Sequence, residues 1–147
     1  MSILNARSLV VGVFLLCLGA CATPPQTRLM LGSSPASLPR YTELTKVPYF
    51  AQDAYQCGPA SLAMSLNAVG YSVTPEILKP ELYLPDRHGS LQVEMLAAAR
   101  RNGAVAYQLA PELNDVMHEI AAGTPVVVLQ NLAFSWYPVW HYAVVIG

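Results

Sequence analysis

Cys57 stands at the head of an apolar run, in the stretch DAYQCGPASLAM, followed at once by Gly58 and Pro59. Pro59 suits the first turn of a helix, where its missing N–H costs nothing. The pattern therefore predicts a thiol at a helix N-terminus. Unpaired N–H groups and the helix dipole favour a thiolate there, and the thiolate is the nucleophile. The plainer alternative is burial, since free cysteine is among the most buried residue types. A nucleophilic reading needs a base from elsewhere, and three histidines are available. His88 lies beside Asp86 and Arg87 in a charged loop and reads as solvent-exposed. His118, next to Glu119, fits the polar face of a helix. His141 opens an apolar strand between Trp140 and Tyr142, where a polar ring must be satisfied or functional. An oxyanion donor is also required near the thiol. Gln52, five residues earlier, can point its amide there, whereas Gln56, as an immediate neighbour, projects away.

The elements that must position these groups follow from periodicity. Lys46–Gln52 reads as a short extended segment. CGPASLAMSLNAVG reads as a helix, with Leu62, Leu66 and Val69 at helical spacing and Gly70 closing it. Ala60, Ser61, Ala63 and Ser65 are small, as a closely approached central helix requires. Thr74-Pro75-Glu76 is an N-cap, N1 proline and acidic first turn. YLPDRHG reads as a loop. Ser90 is a candidate cap for LQVEMLAAARRNG, whose last turn carries Arg100 and Arg101 before Gly103. Ala104–Leu109 fits a strand, PELNDVMHEIAAG an amphipathic helix, TPVVVLQNL a central strand and VWHYAVVIG another. Helices first, then strands interleaved with a helix, define an α+β domain.

Composition narrows the functions. The formal charge is -1 and no basic run is present, which excludes a nucleic-acid partner on electrostatic grounds. No Cys/His pair has metal-ligand spacing, so neither a metal nor another cofactor is expected. Arg7 followed by the apolar run Ser8–Ala20 has the layout of a secretory signal peptide. LGAC, Leu18 to Cys21, resembles the bacterial lipobox, which implies lipidation of Cys21 and attachment to the membrane through the lipid. Ala22 replaces the aspartate of an inner-membrane retention signal, so the outer membrane, facing the periplasm, is the expected location. Residues 1–21 are thus read as signal peptide and lipobox, 22–40 as a flexible tether rich in Pro, Ser and Thr, and 41–147 as the folded domain. Cys57 is then left without a disulfide partner in an oxidising compartment.

The ordered set of Gln52, Cys57-Gly58-Pro59-Ala60, Gly123-x-Pro125-x-x-Val128 and His141-Tyr142-x-Val144-Val145-x-Gly147 resembles the bacteriocin-processing cysteine peptidases, family thirty-nine of cysteine peptidases. Their members cut peptides after a double-glycine leader. GSLQVEMLAAARRNG is also similar to the second helix of stand-alone secreted members. The resemblance runs from about Val47 to Gly147. It implies a papain-like fold, with a central helix packed on an antiparallel sheet, and a peptide or protein substrate. It implies Cys57 as nucleophile, His141 as general base and Gln52 as oxyanion donor. Two departures stand out. Gln56 occupies a place where much of the family has an aspartate. The family's third member is an aspartate after the histidine strand, whereas no acid follows Glu119 here. Either the orienting acid is lacking or the chain is a fragment; because the break falls within a sheet-building pattern, a fragment truncated at its C-terminus is expected.

The residues leave three readings open. One is a cysteine peptidase that proceeds through a thioester. Another is a catalytically silent peptide-binding domain of the same fold. The third is an envelope lipoprotein with a scaffold role, in which Cys57 only packs.

Overall fold

The computed structural model describes residues 23–32 and 37–147. The expected signal peptide and Cys21 lie outside the described residues. The chain divides into two units, Met1–Pro35 and Ala36–Gly147. Of the first unit, the described residues contain helix α1, Pro25–Gly32, which has no buried residue. This helix falls within residues 22–40, where a flexible tether is expected. No described helix is long and apolar enough to cross a membrane.

The second unit is built around helix α2, Cys57–Ala68. Gly58 through Met64 and Leu66 are all buried, which explains the density of small residues. Ala60, Ser61 and Ala63 have no exposed surface, so neighbouring elements press on every side of the helix. Helix α3, Pro75–Leu82, contributes Leu78 and Leu82 to the core. Helix α4, Gln92–Arg101, contributes Met95, Ala98 and Ala99. A short hairpin links these two helices: β1, Tyr83–Leu84, pairs antiparallel with β2, Gly89–Ser90, around a 3-10 turn. Helix α5, Leu113–Ala121, precedes the main hairpin of β3, Val126–Asn131, and β4, Trp140–Val145.

The β3–β4 register decides what reaches the core. Val127 opposes Val144, Leu129 opposes Tyr142, and Gln130 opposes His141. Val127, Leu129 and Tyr142 pack with Leu62, Ala63 and Leu66 of α2. Directly opposed residues share a face and successive residues alternate. The face turned to α2 therefore carries residues 127, 129, 142 and 144. A central helix on an antiparallel sheet is thus present.

The loop expected over YLPDRHG is the β1–β2 hairpin, and two further local expectations fail. Ala104–Leu109 is not a strand. Its alternation is real, because Ala104 and Ala106 pack on the core while Val105 and Tyr107 are exposed. The segment lacks a ladder partner among the described residues. Its Ala106 carbonyl accepts instead from Nε and Nη2 of Arg100, at 3.0 and 2.7 Å. Ser90 does not cap α4 either. The N-cap is Leu91, and Ser90 belongs to β2, with its hydroxyl buried and without a hydrogen-bond partner. Packing against α2 claims that side chain before the cap can.

Candidate active site

Cys57 is the first residue of α2 and is half-buried. Gln56 forms the N-cap through its backbone, its carbonyl accepting from the Ala60 N–H at 3.2 Å. The Gln56 side chain makes no cap hydrogen bond. The N–H groups of Cys57 and Gly58 head the helix, and Pro59 has none to offer. A developing oxyanion above the thiol would meet those backbone donors. The side-chain amide of Gln52 is the donor expected from the sequence; the backbone donors are implied by the helix start itself.

Gly58 explains why Cys57 is followed by glycine. A Cβ added there would lie 2.7 Å from the Ser90 Cβ and also collide with the Ser90 hydroxyl, while Leu82 Cδ1 would be 3.3 Å away. Hairpin β1–β2 therefore sits directly against the first turn of α2. Strand β4 closes on the same turn. The Tyr142 hydroxyl donates to the Ser90 carbonyl at 3.3 Å. Burial, and after it the charge of the neighbouring Cys57 sulfur, push the Tyr142 phenol up to about 12. Tyr142 is thus the β4 side chain that comes up to the thiol.

His141 is half-buried and lies one residue earlier. The register pairs it with Gln130, on the hairpin face opposite to Tyr142. Among the described residues no hydrogen bond joins Cys57 to His141. Gln52 sits in the loop before α2, exposed, and likewise makes no hydrogen bond to Cys57. The structure therefore brings the His141 strand to the thiol but leaves the side chains of Cys57, His141 and Gln52 unconnected.

A second histidine lies in the β1–β2 hairpin. His88 and Tyr55 have left-handed backbones, with φ of 48° and 65°. Their rings lie 5.0 Å apart at 45°. Tyr55 is two residues before Cys57 and His88 two before Ser90. Bulky residues in this conformation are strained, and such strain gathers at functional sites. His88 is exposed, as its charged neighbours predict, but its ring is partnered by Tyr55. His118 lies on α5. Among the described residues no group of three His, Cys, Asp or Glu side chains is placed to hold a metal ion. A large apolar groove of about 630 Å³ runs between α2, α4, the 104–113 segment and β3, and Cys57 and His141 do not line it. A smaller one of about 170 Å³ lies between residues 38–42 and the end of α5.

A thiol on the first turn of a buried helix, met by a late antiparallel strand, defines a cysteine peptidase-like class. The chain matches the Peptidase_C39 like family over residues 44–147 and belongs to it. Neither the curated proteins nor the solved structures contain a match.

Proposed function

We propose that this chain is an envelope-tethered, papain-like cysteine peptidase that cleaves peptide bonds through the Cys57 thiolate. The observation that carries the reading is the placement of Cys57 at the first turn of α2, which no side chain caps, in contact with the strand of His141, within a family of cysteine peptidase-like proteins. In this mechanism the thiolate attacks the peptide carbonyl carbon. The tetrahedral oxyanion is met by the Cys57 N–H and the Gln52 amide. His141 passes a proton to the departing amine, and a water molecule then hydrolyses the thioester. Turnover in this mechanism requires substrate binding to bring His141 and Gln52 onto Cys57. Lipid on Cys21 holds the domain to the outer membrane, facing the periplasm.

The separation of His141 from Cys57 by the strand pleat favours a second reading, a silent peptide-binding domain of the same fold. One set of variants separates the two. Cys57→Ala abolishes turnover of a peptide library. Gln52→Ala slows turnover by about a hundred- to a thousandfold but leaves iodoacetamide labelling of Cys57 nearly intact. His141→Ala harms both, whereas His88→Ala leaves labelling unchanged. A Cys57→Ala protein that cleaves as well as its parent refutes the peptidase, and peptide binding without turnover in the parent establishes the silent domain. Cys21→Ser blocks lipid attachment; lipid labelling of that variant at the level of the parent refutes the anchor.

A further inference from the structure

The turn that joins β3 to β4 displays its aromatic side chains to solvent. Phe134 is 64% exposed, Trp136 79%, Tyr137 67% and Trp140 59%, beside Leu132 and Val139. Rings of this size normally seek the core, and contiguous exposed apolar surface marks an interaction site. The turn is built to hold them there. Asn131 Nδ2 donates to the Phe134 carbonyl at 3.2 Å. Asn131 Oδ1 accepts from the N–H groups of Ala133 and Val139, at 3.0 and 2.9 Å. Backbone bonds from Leu132 to Val139 and from Tyr137 to Phe134 close the turn, at 2.8 and 3.1 Å. The Phe134 and Trp136 rings stack 5.4 Å apart, 8° from parallel.

Three properties of this surface select an occupant. No Asp, Glu, Lys or Arg occurs after Glu119, so the turn offers no charge to fix the register of a polar partner. Neither groove described above is lined by it. A mixture of Trp, Tyr and Phe, apolar in body and polar at one edge, suits the boundary between lipid headgroups and acyl chains.

We propose that the Leu132–Trp140 turn inserts into the interface of a lipid bilayer, with its rings among the upper acyl chains and the indole N–H and phenol O–H groups at headgroup level. The turn leads straight into His141 and Tyr142, so insertion holds the Cys57 end of the domain at the bilayer surface. The proposal depends neither on catalysis nor on the lipid anchor.

Trp136 and Trp140 are the two tryptophans of the whole chain, so intrinsic tryptophan fluorescence reports this turn alone. The full chain is reconstituted in phosphatidylcholine vesicles with or without bromine on the acyl chains. The expected result is emission shifted to the blue and quenched by the brominated lipid. In the double variant Leu132→Asp with Phe134→Asp, quenching is lost. Both side chains are exposed, so the fold survives the change. Emission that stays unquenched in the parent overturns the proposal, and so does equal quenching of the variant. A blue shift that follows protein density at constant lipid, or that needs an added peptide, assigns the turn to a second copy or to substrate and overturns it as well.

Discussion

Replacing Gly58 with alanine tests the packing that places the thiol. Two effects of opposite sign compete. Alanine inside a helix gains about 0.5–1 kcal/mol over glycine, and Gly58 has no positive φ that would oppose it. Against this, the new methyl would lie 2.7 Å from the Ser90 Cβ. That atom is fixed to the β2 backbone and cannot swing aside, so the hairpin or the helix must move. Overpacking of this kind costs about 1–3 kcal/mol. The clash therefore wins, with a net loss of roughly 1–2 kcal/mol. In a Ser90→Gly background both clashing atoms disappear, and only Leu82 Cδ1 at 3.3 Å remains, the end of a flexible side chain. There Gly58→Ala should be neutral or stabilising, a coupling of about 1–3 kcal/mol between the two sites. Urea denaturation of the four proteins measures this. With a slope of about 1–3 kcal/mol per molar, the single variant lowers the midpoint by roughly 1 M. A loss under about 0.5 kcal/mol, or an equal loss in both backgrounds, refutes the idea that Ser90 imposes glycine beside the thiol.

Other consequences follow from the same surroundings. The Tyr142 phenol, raised from about 10 to about 12, favours folding with its proton on. Its contribution is fully present below pH 10 and is lost as pH rises toward 12, about 2 kcal/mol in all. Urea titrations from pH 9 to 12 should show that loss, absent in Tyr142→Phe. Because the Cys57 sulfur is part of the cause, Cys57→Ala should lower the phenol titration seen by ultraviolet absorbance; an unmoved titration refutes the proximity. Asn131→Ala removes three hydrogen bonds that shape the β3–β4 turn. It should cost about 1–3 kcal/mol and speed amide exchange at Ala133 and Val139, and unchanged exchange would show that the turn holds without it. Arg100→Ala frees the Ala106 carbonyl and should loosen residues 104–109 in amide exchange, at a cost near 1 kcal/mol.

Much of the scaffold is legible in the sequence because local rules and tertiary packing agree there. Helix α2 begins at Cys57, where the Gly-Pro pair and the run of small residues put it, and β3 and β4 coincide with apolar stretches. The rest depends on contacts distant in the chain. Alternation at Ala104–Leu109 reports one-sided burial correctly, but a strand also needs a partner for its backbone groups, and no local signal reveals whether one exists. Ser90 looks like a cap by composition, and only its approach to Gly58 turns it into a packing residue. His88 looks like a solvated loop residue because its neighbours are charged; its contact with Tyr55 crosses more than thirty residues.

The parity of β4 carries the most consequence for function and is the least visible beforehand. His141 and Tyr142 are adjacent, so they point to opposite faces, and a histidine-tyrosine pair alone does not say which one meets the thiol. The choice is made by Leu129, whose packing against α2 brings its cross-strand partner Tyr142 inward. A slip of one residue between the strands would exchange the two side chains. The inward place suits the tyrosine as the two are arranged, since its ring buries more apolar surface than an imidazole and its hydroxyl reaches the Ser90 carbonyl. Catalysis through His141 therefore asks the imidazole to reach Cys57 past the open edge of β4. Beyond β3, no other named strand pairs with β4 among the described residues. Tyr142→Ala tests that route directly. If the phenol only fills the core, the variant loses stability, by about 3–5 kcal/mol for an aromatic truncated to alanine, and the thiol keeps its alkylation profile in the fraction that stays folded. If the phenol separates Cys57 from His141, its removal lets the imidazole in, and alkylation of the folded fraction rises at pH values below the ordinary thiol range. No such rise would mean that the pleat keeps the two apart.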